Sequence, residues 1–176
     1  MRTTPLTGRL SPWLVMALIL LFGCWSPGPA LGNSLAADPD PVKAEATALY
    51  NLGAVQGARG NWQGARCSYG AAARIQPDLI LARSSRALAA MELGELAVAE
   101  ETLRRLIRRH PLFADARAAL TALLWRRGLQ GEAESHWAAS AGLDDRYADA
   151  RWLLATRQWP PGPVQDLQQF LASRTS

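Results

Sequence analysis

An all-α fold, a solenoid of helix–turn–helix repeats, is what this sequence predicts, and three recurrences predict it. Gly60, Gly94 and Gly128 stand 34 residues apart; Ala65, Ala99 and Ala133 keep the same step. Pro77 and Pro111 keep it too, with Asp145 where a third proline would fall. One period thus governs residues 46–147 as three units of 34. A unit of this length cannot bury its own apolar face, so each completes the core of its neighbour.

The chain opens with Arg2 and Arg9 ahead of the apolar run Trp13–Phe22, and no acidic residue precedes Asp38. A basic start followed by about ten to thirteen apolar residues has the composition of a secretory signal and is short for a spanning helix of roughly 20. Residues 1–32 are therefore expected to export the chain. Two processing sites compete. Ala30-Leu31-Gly32 sets small residues three before and one before a cut ahead of Asn33. Leu21-Phe22-Gly23-Cys24 resembles the bacterial lipobox, in which Cys24 is lipidated, although Phe22 stands where a small residue is usual. An uncleaved N-terminal anchor is a third outcome.

Loss of residues 1–32 leaves 144 of 176 residues, enough for one domain with a real core. It also removes Arg2 and Arg9, taking the formal charge from +4 to +2. The high pI of about 9.7 then reflects 18 Arg against one Lys, since guanidinium stays charged where amines begin to titrate. So small a net charge, on an exported chain, argues against nucleic acid as a partner. Cys24 and Cys67 cannot make a disulfide framework. Cys67 is expected to be a small apolar filler on a packed helix, since no nearby His or Lys would lower its pKa.

Residues 33–41 close a Pro- and Gly-rich stretch that reads as a linker. Asp40-Pro41 then has the form of an N-cap with proline in the first turn. The first helix should run from about Val42 to Arg59, with Leu49, Leu52 and Gln56 on one face and Gly60 ending it as a left-handed cap. Asn61 caps a second helix carrying Trp62, Ala65, Tyr69, Ala72 and Ile75 inward until Pro77. Gly53 and Ala65 are small because closely crossing helices need small side chains at the contact.

On these residues the first unit resembles the tetratricopeptide repeat family. That family prefers a large residue at the fourth place, Leu-Gly at the seventh and eighth, Ala at the twentieth, an aromatic at the twenty-fourth, Ala at the twenty-seventh and Pro at the thirty-second. Leu49, Leu52, Gly53, Ala65, Tyr69, Ala72 and Pro77 match in turn, with Gln56 replacing the aromatic of the eleventh place. The second unit keeps Ala87, Gly94, Ala99, Leu103, Leu106 and Pro111, but Arg83 and Arg86 occupy places usually apolar. Their stems can pack on apolar surface with the charge at the rim. The third supplies Leu120, Thr121, Leu124, Gly128, Ala133 and Trp137, with Arg117 again replacing an apolar residue.

Residues 42–147 thus hold three repeat units, and residues 148–176 should supply capping helices. Tyr147, Ala150, Leu153 and Leu154 fall on one face of a helix from about Arg146 to Arg157. Trp159-Pro160-Pro161-Gly162-Pro163 breaks it, and Val164, Leu167, Phe170 and Leu171 share a face of a last short helix, which must dock to persist. This ending, with the export signal, resembles tetratricopeptide proteins of the cyanobacterial and chloroplast thylakoid lumen, so periplasm or thylakoid lumen is the implied location.

Catalytic motifs are missing from the sequence: no His-Glu-x-x-His, no Gly-x-Ser-x-Gly, no phosphate loop and no paired Cys motif. The chain reads as a non-enzyme without cofactor or metal. Glu132 and His136 could share a metal, yet one helical pair lacks further ligands and reads as a surface pair. The basic run Leu103–His110 reads as a solvated face, because Glu100 and Glu101 precede Arg104 and Arg105 by four; an anionic partner is the competing reading.

The tetratricopeptide resemblance implies a concave face lined by the first helix of each unit. Tyr50 and Ala54, then Ser84, Leu88 and Met91, then Ala118, Ala122 and Trp125 with Arg126 beside it, are the candidate partner-binding residues. Tyr50, Met91 and Trp125 would be apolar anchors for a protein or peptide partner; alternatively these side chains only pack against the capping helices. A carboxylate clamp known in the family is not carried over, because Tyr50, Ala54, Ser85, Asp115 and Ala119 stand at its places. Two functions follow: an exported interaction scaffold, membrane-tethered if Cys24 is lipidated or the N-terminal segment is retained, helping to assemble a membrane or lumenal complex, or a self-associating structural protein whose groove holds its own C-terminal helix. The intact mass of the native protein is expected to place the mature N-terminus at Cys24 or Asn33; a soluble cytoplasmic pool retaining Met1 would overturn the export reading.

Overall fold

The computed structural model describes residues 40–175. The expected signal, Cys24 and the expected linker up to residue 39 lie outside the described residues. Eight α-helices follow one another: α1 Pro41–Ala58, α2 Trp62–Ile75, α3 Ile80–Glu92, α4 Leu96–Arg109, α5 Ala114–Arg126, α6 Gln130–Leu143, α7 Ala150–Ala155 and α8 Pro161–Ser173. A 3-10 turn, Asp145–Ala148, precedes α7. There is no strand among the described residues, and each helix from α1 to α6 packs on the next. The fold is an all-α helical-repeat solenoid.

The period is visible in the backbone. Gly60, Gly94 and Gly128 have φ of +75°, +79° and +74°, one left-handed residue at the turn of each helical pair. Only glycine takes that conformation without cost, so the 34-residue spacing is a spacing of turns. Their partners in the period, Ala65, Ala99 and Ala133, are all fully buried. Asp40 accepts from the Val42 N–H at 3.0 Å and Asn61 from the Gly64 N–H at 2.9 Å, which makes both the N-caps their sequence suggested.

The two helices of the first pair approach each other closely. A Cβ on Gly53 would lie 2.7 Å from the Tyr69 ring, and one on Gly57 would lie 2.6 Å from Trp62. Ser68 donates to Gln56 across the same interface at 2.7 Å, so the residue replacing the expected aromatic makes a polar link.

Three expectations are corrected. Leu52 is not on an inward face: it is 47% exposed, because α1 ends the stack and nothing described covers its outer side. Cys67 is exposed as well, pointing off α2 rather than filling a core. The helix expected over 146–157 is broken in two, since Asp149 turns extended and its side chain caps α7 through the Arg151 and Trp152 N–H groups.

Ionic ties knit the second and third units. Arg104 and Arg105 bond Glu100 and Glu101 as their spacing predicts. Arg104 also reaches Glu132 at 2.7 Å, and Arg127 reaches Glu100. Ala99→Leu is expected to cost about 1 to 3 kcal/mol of stability through strain at the buried crossing, whereas Cys67→Ser on the surface should be near neutral. Urea midpoints measure the contrast, and equal losses would contradict the packing.

Candidate functional site: the α5 face covered by the C-terminal segment

On α5, Asp115, Ala118, Ala122 and Trp125 recur at helical spacing and form one face. The chain from Arg157 to Phe170 runs along it, and α8 packs against α5 and α3. At the start of this face Asp115 is fully buried and takes donors from four residues in three separate segments. Ser84 donates to Oδ2 at 2.5 Å; Tyr147 donates to Oδ1 at 3.0 Å. Arg157 donates through Nε at 3.1 Å and Nη2 at 2.5 Å, and Trp159 through Nε1 at 3.2 Å, all to Oδ1.

These bonds bring a buried charge close to full satisfaction, the condition under which a carboxylate is tolerated in a core. Burial disfavours the Arg157 cation, but the charge and hydrogen bonds of Asp115 outweigh it, and its pKa is raised. Burial, and next the Asp115 charge, raise the Tyr147 pKa, so the phenol keeps the proton it donates. Ser84 has no exposed surface, and Asp115 holds its hydroxyl proton. The cluster is therefore a structural joint between repeat and tail with no access for a substrate.

At the far end α8 is fastened by a second set of contacts. The Gly162 N–H donates to Glu92 at 2.9 Å. Arg126 donates from Nε to Asp166 at 2.6 Å and from Nη1 to the Met91 carbonyl at 2.8 Å. Phe170, fully buried, meets Trp125 and Trp137 edge-on at centroid distances of 5.9 and 6.2 Å. Arg174 pairs with Glu134 at 2.9 Å.

Of the candidate partner-binding residues, Leu88, Met91, Ala118 and Ala122 belong to the same buried cluster as Val164, Leu167 and Phe170. Ser84 is spent on Asp115, Arg126 on Asp166, and Trp125 on Phe170. Tyr50 and Ala54 stand apart on α1: Tyr50 is half-buried and tilted against Tyr69 at 5.3 Å, with Ala54 buried beside them. The spacing argument placed these side chains on one concave surface; the packing reading, in which they meet the C-terminal helices, describes most of them.

Asp115, Arg157 and Trp159 were missed. One signal pointed to Asp115: the equivalent places one and two periods earlier hold Leu81 and Thr47, so the acid breaks its column. No comparable signal marks Arg157, whose role depends on the path of the tail. Glu132 is bonded to Arg104, which lowers its pKa. His136 has a buried Nδ1 without a partner, and burial, followed by Arg117 and Arg104, lowers its pKa. No cluster suited to a metal occurs among the described residues.

Asp115→Ala is expected to cost about 3 to 5 kcal/mol, because Arg157 is left buried and unpaired, and Asp115→Ala combined with Arg157→Met should recover part of the loss. Denaturant unfolding of both variants measures this, and a neutral single variant would remove Asp115 from the joint. Comparison with protein-family models and with curated proteins gives no match to this chain.

Proposed function

We propose that this chain is an exported, non-enzymatic scaffold of tetratricopeptide type whose concave face is completed by its own C-terminal segment. The seating of α8 on α3 and α5 carries this reading. A peptide entering there would have to displace Phe170 from between Trp125 and Trp137 and break the Arg126–Asp166 pair. Solenoid ends need a cover, and here the cover folds back across the face that open repeats use for ligands. Partners would then be met on outer surfaces, in the manner of a rigid structural module.

The basic and apolar start of the sequence supports export to the periplasm or thylakoid lumen, with a membrane tether if Cys24 is lipidated or the segment is retained. A second reading keeps peptide capture at the α1 end of the same face. It is favoured by Thr47 and Asn51, which are exposed beside half-buried Tyr50.

Hydrogen exchange separates the two. A self-completed face gives the amides of α8 protection comparable to α5, and Trp125→Ala should expose residues 161–173 before any other segment. Exchange of α8 at the rate of free peptide in the unaltered protein would refute self-completion and leave the face open for a partner.

A further inference from the structure

A cleft of about 470 Å³ opens between α2, α3 and α4, away from the joint built on Asp115. Its rim carries five guanidinium groups, those of Arg74, Arg83, Arg86, Arg105 and Arg109, against one carboxylate, Glu101. That carboxylate is already bonded to Arg105. Ala73, Val98 and Leu106 supply apolar lining.

The concentration of unpaired charge is unusual for this protein. Arg66, Arg104, Arg105, Arg126, Arg127, Arg146, Arg157 and Arg174 each have a carboxylate partner. The other eight, Arg59, Arg74, Arg83, Arg86, Arg108, Arg109, Arg117 and Arg151, form no ion pair among the described residues, and four of these, Arg74, Arg83, Arg86 and Arg109, converge on this one cleft. Arg83 and Arg86 are also the residues that replace apolar ones in the repeat pattern. Arg86 lies over Gly70, where a Cβ would be 3.5 Å from its Cδ and Nε, so its stem is laid along α2 and its charge kept at the rim.

Like charges gathered without partners raise the local potential and attract an anion. Guanidinium forks match tetrahedral oxyanions through paired N–H donors. The volume falls within the range of small-ligand sites, and the apolar lining suits an organic portion. We propose that the cleft binds a small phosphate ester bearing two or more negative charges, its oxygens held by Arg83, Arg86 and Arg109 and its organic part covering Val98 and Leu106. The same phosphate chemistry is offered by a soluble ester and by the headgroup of an anionic lipid.

The test uses the full chain and two probes, inorganic pyrophosphate in calorimetry and vesicles containing phosphatidic acid, whose phosphomonoester headgroup can carry two charges, in sedimentation, with phosphatidylcholine vesicles as reference. Arg83→Gln with Arg86→Gln should weaken binding at least about tenfold. Arg59→Gln with Arg151→Gln removes the same charge from exposed positions outside the cleft and should change it by less than about twofold. Thr102→Glu, which sets a carboxylate in the lining, provides an independent block should the arginine variant fold poorly. Loss of vesicle binding in the cleft variants, beyond the phosphatidylcholine reference, identifies a lipid headgroup; loss for pyrophosphate alone identifies a soluble ester. Equal losses in the two arginine pairs, or no saturable binding of either probe at millimolar concentration, would overturn the proposal.

Discussion

The buried carboxylate of Asp115 is the constraint on which the C-terminal third of this structure depends. One charge removed from water must find enough donors to replace its hydration. Here they come from α3, the 3-10 turn and the stretch between α7 and α8. The last of these is distant in sequence from α3 and cannot reach the acid unless the tail returns to the repeat. The charge thus fixes a chain path that apolar packing alone would leave less defined. The path then delivers Val164, Leu167 and Phe170 to the small residues Ala118 and Ala122, which provide space for them.

Small residues on the α5 face have two physical uses, and the distinction matters for function. In an open groove they leave room for a guest. In this protein they leave room for α8, and the side chains that would have recognised a guest are engaged: Arg126 with Asp166, Trp125 with Phe170. A face that hydrogen-bonds its own chain at both ends has no spare donors in between for an extended peptide. Arg74, Arg83, Arg86 and Arg109 in the cleft formed by α2, α3 and α4 present the reverse case, with no carboxylate partner among the described residues.

Much of the fold was legible because its landmarks are local. Turn glycines report a backbone sign, Asp40 and Asn61 report caps, and the alanines 34 apart report close crossings; each acts within its own unit. What was not legible lies where one unit meets something distant. The break at Asp149 came from a capping side chain that helical periodicity does not weigh. Leu52 and Cys67 fit the repeat pattern yet face outward, because a pattern gives a face and not whether a neighbour covers it. The joint at Asp115 was out of reach for the same reason: its donors Arg157 and Trp159 come from the non-repeating tail, where no period relates one residue to another.

Stability in such an array is a sum over units and the interfaces between neighbours, so the two ends need not be equal. Residues from α3 to α8 share one contiguous apolar cluster, closed by the aromatic contacts of Phe170. The first pair lies outside that cluster. It is held by small-residue contacts at Gly53 and Gly57, by the Ser68–Gln56 bond and by the Arg66–Glu95 pair to the second unit. A partly exposed ion pair contributes little, and Val42, Leu52 and Val55 gain nothing from being about half exposed. The array is therefore firm where its own tail completes it and weakest at α1. Local opening is accordingly expected to begin at α1 and to reach the joint between α5 and the tail last.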